Sequence, residues 1–203
     1  MSRASVHVRP VDLGDIPALV SLTRSFDLSA GTFSGRPLLD SSEDRLSTRF
    51  AEIISDGSRH LLVAVDDSVG SRGGIVGLLV TRCDEIGAID LTPVLHVSHL
   101  LVDPRFRRRG IGRQLLGAVV HMADERGIDH VLATAASGSR EGNRYLARIG
   151  FAPLVSARIA STSVLRRTLG MADAPERIAV LRRARLVRGT RGLAAGRVAR
   201  RGA

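Results

Sequence analysis

The sequence predicts one mixed α/β domain followed by a basic extension, and three observations carry that expectation. Short apolar, β-branched runs recur at residues 6–10, 60–65, 75–81, 94–102 and 130–135, and segments with apolar residues at helical spacing fall between them. The charge then divides sharply: residues 1–163 hold 19 Arg against 18 Asp plus Glu, whereas residues 164–203 hold 11 Arg against only Asp173 and Glu176. The formal net charge of +10 therefore belongs almost entirely to the end of the chain, and the body is close to neutral.

Each element has a local cause. Residues 6–10 alternate and end at Pro10, and Asp12 or Asp15 caps the helix that carries Ile16, Leu19, Val20 and Leu22. Gly31, Gly35 and Pro37 make residues 28–40 a loop beside whatever site the fold forms. Ser41 or Ser42 starts a second helix with Leu46, Phe50, Ile53 and Ile54 on one face, stopped at Asp56 and Gly57. Residues 60–65 and 75–81 read as an antiparallel hairpin across a Gly- and Ser-rich turn. After a polar loop, the run 94–102 leads through Asp103 and Pro104 into RFRRRGIG and a helix over 113–126, which Gly127 ends. A buried strand at 130–135, a helix over 140–149 closed by Gly150, and a last strand at 151–159 complete the order βααβββαβαβ. Beyond about residue 161 the pattern decays, and a helix started by Asp173 and Pro175 would spread its Arg residues around its whole circumference. The expected division is a domain at 5–160 and an Arg-rich tail, helical or disordered, at 161–203.

Several classes are disfavoured. No apolar run approaches the roughly 18 residues of a membrane span. The first residues lack the apolar stretch of a secretory signal, so a cytoplasmic protein is expected. Cys83 is the only cysteine, which leaves no internal disulfide and no multi-cysteine metal site. His96 and His99 have no evident third ligand, and no metal is expected.

The stretch LLVDPRFRRRGIGRQLL, residues 100–116, is chemically the most specific. Gly110 and Gly112 let the backbone approach a ligand where a helix begins, so free N–H groups and the positive end of the helix dipole converge. Arg107, Arg108, Arg109 and Arg113 add charge suited to nucleotide phosphates. The glycines at 110, 112 and 117 miss the G-x-G-x-x-G spacing, and Ala118 stands where a P-loop needs Lys.

That stretch resembles the cofactor motif [RQ]-x-x-G-x-[GA] of the GNAT superfamily of N-acetyltransferases, here Arg107, Gly110 and Gly112. Val102–Asp103–Pro104 before it, and NRYLARIGF at 143–151 after it, match the family as well, and the resemblance spans roughly residues 5–155. It implies a mixed, mostly antiparallel twisted sheet flanked by helices, with acetyl-CoA as co-substrate. It further implies pantetheine contacts at Leu100, Leu101 and Val102, pyrophosphate contacts from Arg107 through Arg108, Arg109, Gly110, Ile111 and Gly112 to Arg113, and a cofactor contact at Asn143. Homodimers are common in the family, so a homodimer stays open.

Acetyl transfer to an amine needs that amine deprotonated, so a base or a water relay helps. Along a strand, His96 and Ser98 share one face and His99 points to the other unless a bulge intervenes. The resemblance implies His96 as a catalytic base, since counted back from Pro104 it stands where arylalkylamine N-acetyltransferases carry a catalytic histidine; Asp90 and Glu85 are further candidates. A satisfied packing or surface histidine is the competing reading of both His96 and His99. The family's usual acid is a Tyr four residues before the Gly of G-F, where this chain has Leu146. Tyr145, the only Tyr, lies one residue earlier, about 100° around the helix, and is the candidate acid or an aromatic packing residue.

Three functions follow. The first is acetyl-CoA-dependent N-acetyl transfer to a primary amine of an unknown small molecule or protein. The second is an acyl-CoA-binding protein with weak or no turnover. The third places nucleic acid or another polyanion on the tail, bound through phosphates without aromatic stacking.

Overall fold

The computed structural model describes residues 6–26, 42–69, 73–87, 89, 91–135 and 139–171, with the backbone alone at 32–33 and 36–37. The chain divides between Ala152 and Pro153 into two units.

In the first unit, β1 (Val6–Pro10) leads into a short 3-10 turn, Leu13–Asp15, and α1 (Ile16–Arg24). Asp12 and Asp15 form a reciprocal cap: the Gly14 amide donates to Asp12 Oδ1 at 2.7 Å and the Asp12 amide to Asp15 Oδ2 at 3.0 Å. Asp15 also receives both guanidinium nitrogens of Arg9, at 2.7 and 2.8 Å, which ties β1 to the start of α1. Two two-residue strands, β2 (Thr32–Phe33) and β3 (Arg36–Pro37), pair with each other inside the segment expected as loop. Then follow α2 (Glu43–Asp56), β4 (His60–Asp66), β5 (Gly74–Glu85), β6 (Pro93–Val102), α3 (Ile111–Glu125), β7 (Val131–Ala133) and α4 (Arg140–Arg148).

The main sheet has the order β1-β4-β5-β6-β7. All neighbours are antiparallel except β6 and β7, which are parallel, so the sheet is mixed and mostly antiparallel, as expected. Both faces are covered. Ile111, Leu115, Val119 and Ala123, four residues apart along α3, pack on Leu62, Ala64, Val76, Leu79, Leu95 and Val97. Leu19, Val20 and Leu22 of α1 and Phe50 of α2 cover Leu61, Val63, Val65, Leu78, Val80 and Leu101 on the other face. Gly77 permits the close approach of α3, because a Cβ there would meet Ile111 Cγ2 at 3.0 Å and Leu115 Cδ1 at 3.1 Å. Fixing α3 this firmly fixes the loop at its N-terminus, which is the functional consequence of the core.

The strand expected at 151–159 does not form: residues 151–160 have no regular structure. Leu154, Val155 and Ile159 are exposed, and among the described residues the apolar alternation there has no partner strand to bury it. In the second unit, α5 (Thr162–Thr168) begins at Ser161, whose Oγ accepts from the Val164 amide at 3.3 Å. The helix considered from Asp173 onward lies outside the described residues. Among the described residues, no helix is long and apolar enough to cross a membrane.

Candidate active site

Two irregularities in β6 build the site. Val80 pairs with His99 and Thr81 with Val97, so Ser98 is an extra residue bulged out of the ladder. Among the described residues β7 pairs only with Leu95, His96 and Val97, and the last bond across that seam runs from the Thr134 amide to the Val97 carbonyl. Beyond it β6 continues to Val102 paired only with β5 among the described residues, and its free side borders a groove of about 1740 Å³. Sites for drug-sized ligands span roughly 300–1,000 Å³, so this groove suits an extended ligand.

One wall is the loop before α3. Arg108 at φ 62° and Gly110 at φ 83° hold left-handed backbone, and α3 starts at Gly110 with no side-chain cap. The helix-start amides therefore remain available to an anion, beside the groove-lining Arg107, Arg108 and Arg113. A Cβ on Gly112 would stand 3.0 Å from the Tyr145 hydroxyl, whereas one on Gly110 would meet nothing within 4 Å. This donor set fits a pyrophosphate: it is positive, rich in N–H, and open at its glycines.

Leu100, Leu101, Val102, Ile111 and Gly112 line the groove as expected. Arg109 does not line it; its guanidinium lies over the Phe106 ring, 5.1 Å from the centroid. Asn143 is likewise absent from the lining, and its amide nitrogen donates to the Ser139 carbonyl at 2.8 Å. Tyr145 lines the groove together with Leu146, and among the described residues its buried hydroxyl has no hydrogen-bond partner. Burial raises the Tyr145 pKa, a rise that Arg113 partly offsets.

The bulge corrects the expected directions of the histidines. Residues 80, 82 and 84 of β5 share a face, and they pair with His99, His96 and Val94 in turn. His96 and His99 thus look to one side, the side that carries α1 and α2. His99 lines the groove, its Nδ1 lies 3.1 Å from Ser98 Oγ, and desolvation, with a smaller contribution from His96, lowers its pKa. His96 sits deeper: Nε2 is 2.6 Å from Thr134 Oγ1 and Nδ1 is 3.6 Å from Asp84 Oδ2. Asp84 also accepts from Arg82 Nε at 2.9 Å, which with burial working against it leaves its pKa lowered. Glu85 ends β5, and Asp90 lies outside the described residues.

Sequence reasoning missed Phe26, Thr134 and Glu141. Thr134 meets His96 through the parallel β6–β7 register, Phe26 reaches the groove from the bend just after α1, and Glu141 reaches it from α4, so only the α4 motif hinted at any of them.

Residues 26–151 match the model of the acetyltransferase (GNAT) family. The chain belongs to that family, and it is an N-acetyltransferase that passes an acetyl group to an amine. It is 27% identical over 151 residues to glucosamine 6-phosphate N-acetyltransferase 1 of rice, covering 71% of this chain and 80% of that protein. Its fold matches a transcriptional regulator from Bacillus halodurans with a TM-score of 0.60 at 21% identity, over 77% of this chain and 99% of that one. It also matches the aminoglycoside N-acetyltransferase AAC(6')-Iy, solved in complex with CoA, with a TM-score of 0.63 at 16% identity, over 79% of this chain and 97% of that one.

Proposed function

We propose that the chain takes the acetyl group from acetyl-CoA and transfers it to a primary amine, with His99 as base and Tyr145 as acid. The observation that carries this reading is one groove that holds a helix start without a side-chain cap, the side of β6 left free among the described residues, His99 and a Tyr145 hydroxyl with no partner among those residues. The amides of residues 110–113 with Arg108 and Arg113 hold the pyrophosphate, and the backbone of Leu100, Leu101 and Val102 pairs with the pantetheine arm. The protonated amine gives a proton to His99, its nitrogen bonds to the thioester carbonyl carbon, the carbon–sulfur bond breaks, the thiolate takes the Tyr145 proton to leave as the thiol, and the second proton lost by the nitrogen restores the tyrosine hydroxyl. His96 is the alternative base, favoured by its approach to Asp84.

A second reading, cofactor binding without efficient turnover, rests on Leu146 at the family's usual Tyr position. Titration calorimetry with acetyl-CoA tests both, followed in the same sample by detection of free thiol on adding glucosamine 6-phosphate, an aminoglycoside, a polyamine or a short peptide. Binding with amine-dependent thiol release supports the transferase; binding without release from any amine supports the second reading; no binding overturns both. The tail, with 11 Arg over residues 164–203, is a separate polyanion contact. Deleting it should leave acetyl-CoA binding intact and abolish salt-sensitive binding to nucleic acid.

A further inference from the structure

We infer that Glu141, in the first turn of α4, sets the affinity for the cofactor by competing with its phosphates for Arg107. Arg107 opens the loop that presents cations to the groove. Its Nη1 is 2.9 Å from Glu141 Oε2, and its guanidinium carbon is 5.8 Å from the Phe26 ring centroid. All three side chains line the groove, so Arg107 is held between the end of α1 and the start of α4 at the wall where the loop amides stand. Among the described residues, Arg107 is the only arginine of 107, 108, 109 and 113 with an acidic partner within 4.0 Å. Among the described residues the other three have no acidic partner within 4.0 Å, whereas Arg107 already faces a carboxylate of the chain itself.

The consequence is electrostatic. A phosphate that approaches Arg107 meets a guanidinium with one N–H donor already engaged and a carboxylate of its own sign beside it, so part of the attraction goes into displacing Glu141. The pair is solvent-exposed on both sides, with 41% and 68% side-chain exposure, and so it is weak enough for a phosphate to displace. Glu141 acts through Arg107 and is a positioning residue; it takes no part in the chemical step.

This inference rests on the acetyl-CoA reading and is tested on the full chain with Glu141→Gln. The variant should lower the Kd for acetyl-CoA by roughly two- to fivefold at low ionic strength, and the gain should shrink as salt screens the charges. Binding of S-acetylpantetheine, which lacks the pyrophosphate, should not change, and in an Arg107→Gln background Glu141→Gln should have no effect. An unchanged or weaker Kd for acetyl-CoA, or the same tightening in the Arg107→Gln background, overturns the inference. Absence of acetyl-CoA binding by the unsubstituted protein would instead overturn the cofactor reading itself, so the two failures are distinct.

Discussion

His96 and His99, three residues apart on β6, face the same side of the sheet because Ser98 is bulged from the ladder between them. Without the bulge, strict alternation would send one ring toward α3 and the other toward α1 and α2. The insertion of one residue thus puts two imidazoles on one side of the sheet, and His99, beyond the bulge, is the one that opens onto the groove.

From this relationship, His99→Gln should lower kcat/KM by about 10²-fold or more, the usual range for loss of a general base, while the Kd for acetyl-CoA stays within about twofold. His96→Gln should cost much less. Single-turnover kinetics with a saturating amine would compare the two directly; a larger loss at His96 would transfer the base to the Asp84–His96–Thr134 group.

The pH profile follows from the direction of the His99 shift. Desolvation favours the neutral ring, so the free base persists to lower pH than for an ordinary histidine near 6.5. The acidic limb of kcat/KM should therefore lie below about 6.5, and activity should be lost only as pH falls through that lowered value. Folding stability carries the same sign: the unfolded chain takes up the proton first, so this contribution is complete above the unfolded pKa and declines as pH drops through it. An acidic limb well above 6.5 would remove His99 from the role.

These histidines also mark the limit of what the sequence makes legible. Most strands and helices follow in chain order from apolar periodicity, and the left-handed turn before α3 follows from its glycines, because those signals are local, whereas the order of strands within the sheet is set by long-range pairing. The bulge at Ser98 is not local: it is defined by the register of β6 against β5, and nothing in PVLHVSHLLV marks where the extra residue falls. Thr134 and Glu141 were hidden for the same reason, since each matters only through a residue more than thirty positions away. The segment 151–159 shows the converse. Its alternation is clear in the sequence, yet a strand needs a neighbour, and among the described residues none pairs with it.

Asp15 offers a test of how the α1 side of the groove is held. Its carboxylate takes two bonds from Arg9 and closes the cap with Asp12, and the Arg9 bond, ahead of burial, lowers its pKa. Asp15→Ala removes these bonds and leaves the Arg9 charge without its closest partner, for a cost of about 1–3 kcal/mol in denaturant unfolding. Loss of stability should exceed that of Asp12→Ala, whose side chain is largely exposed; equal losses would show that the cap alone matters.

Tyr145→Phe separates chemistry from packing. Among the described residues the buried hydroxyl has no partner, so its removal should leave stability unchanged or slightly improved, because an unsatisfied buried group is costly to keep. Turnover should nevertheless fall by roughly tenfold or more if the hydroxyl protonates the departing thiolate. The raised pKa keeps that proton in place through neutral pH, and activity should decline only as pH rises through a value above the ordinary tyrosine value near 10. Unchanged turnover with acceptors of several amine pKa values would return Tyr145 to a packing role.

Gly112 links the cofactor loop to that hydroxyl and permits a sharper test. A methyl group at this position would stand 3.0 Å from Tyr145 Oη but 3.4 Å from Cζ, so the oxygen alone is crowded. Gly112→Ala should push the hydroxyl by a few tenths of an ångström, and displacement of a group at the reacting centre should reduce kcat by roughly three- to tenfold. In a Tyr145→Phe background the crowding atom is gone, and the same substitution should leave kcat nearly unchanged. A double-mutant cycle with strong non-additivity in kcat would therefore assign the glycine's cost to the tyrosine, whereas additive losses would mean that Gly112 serves the pyrophosphate alone.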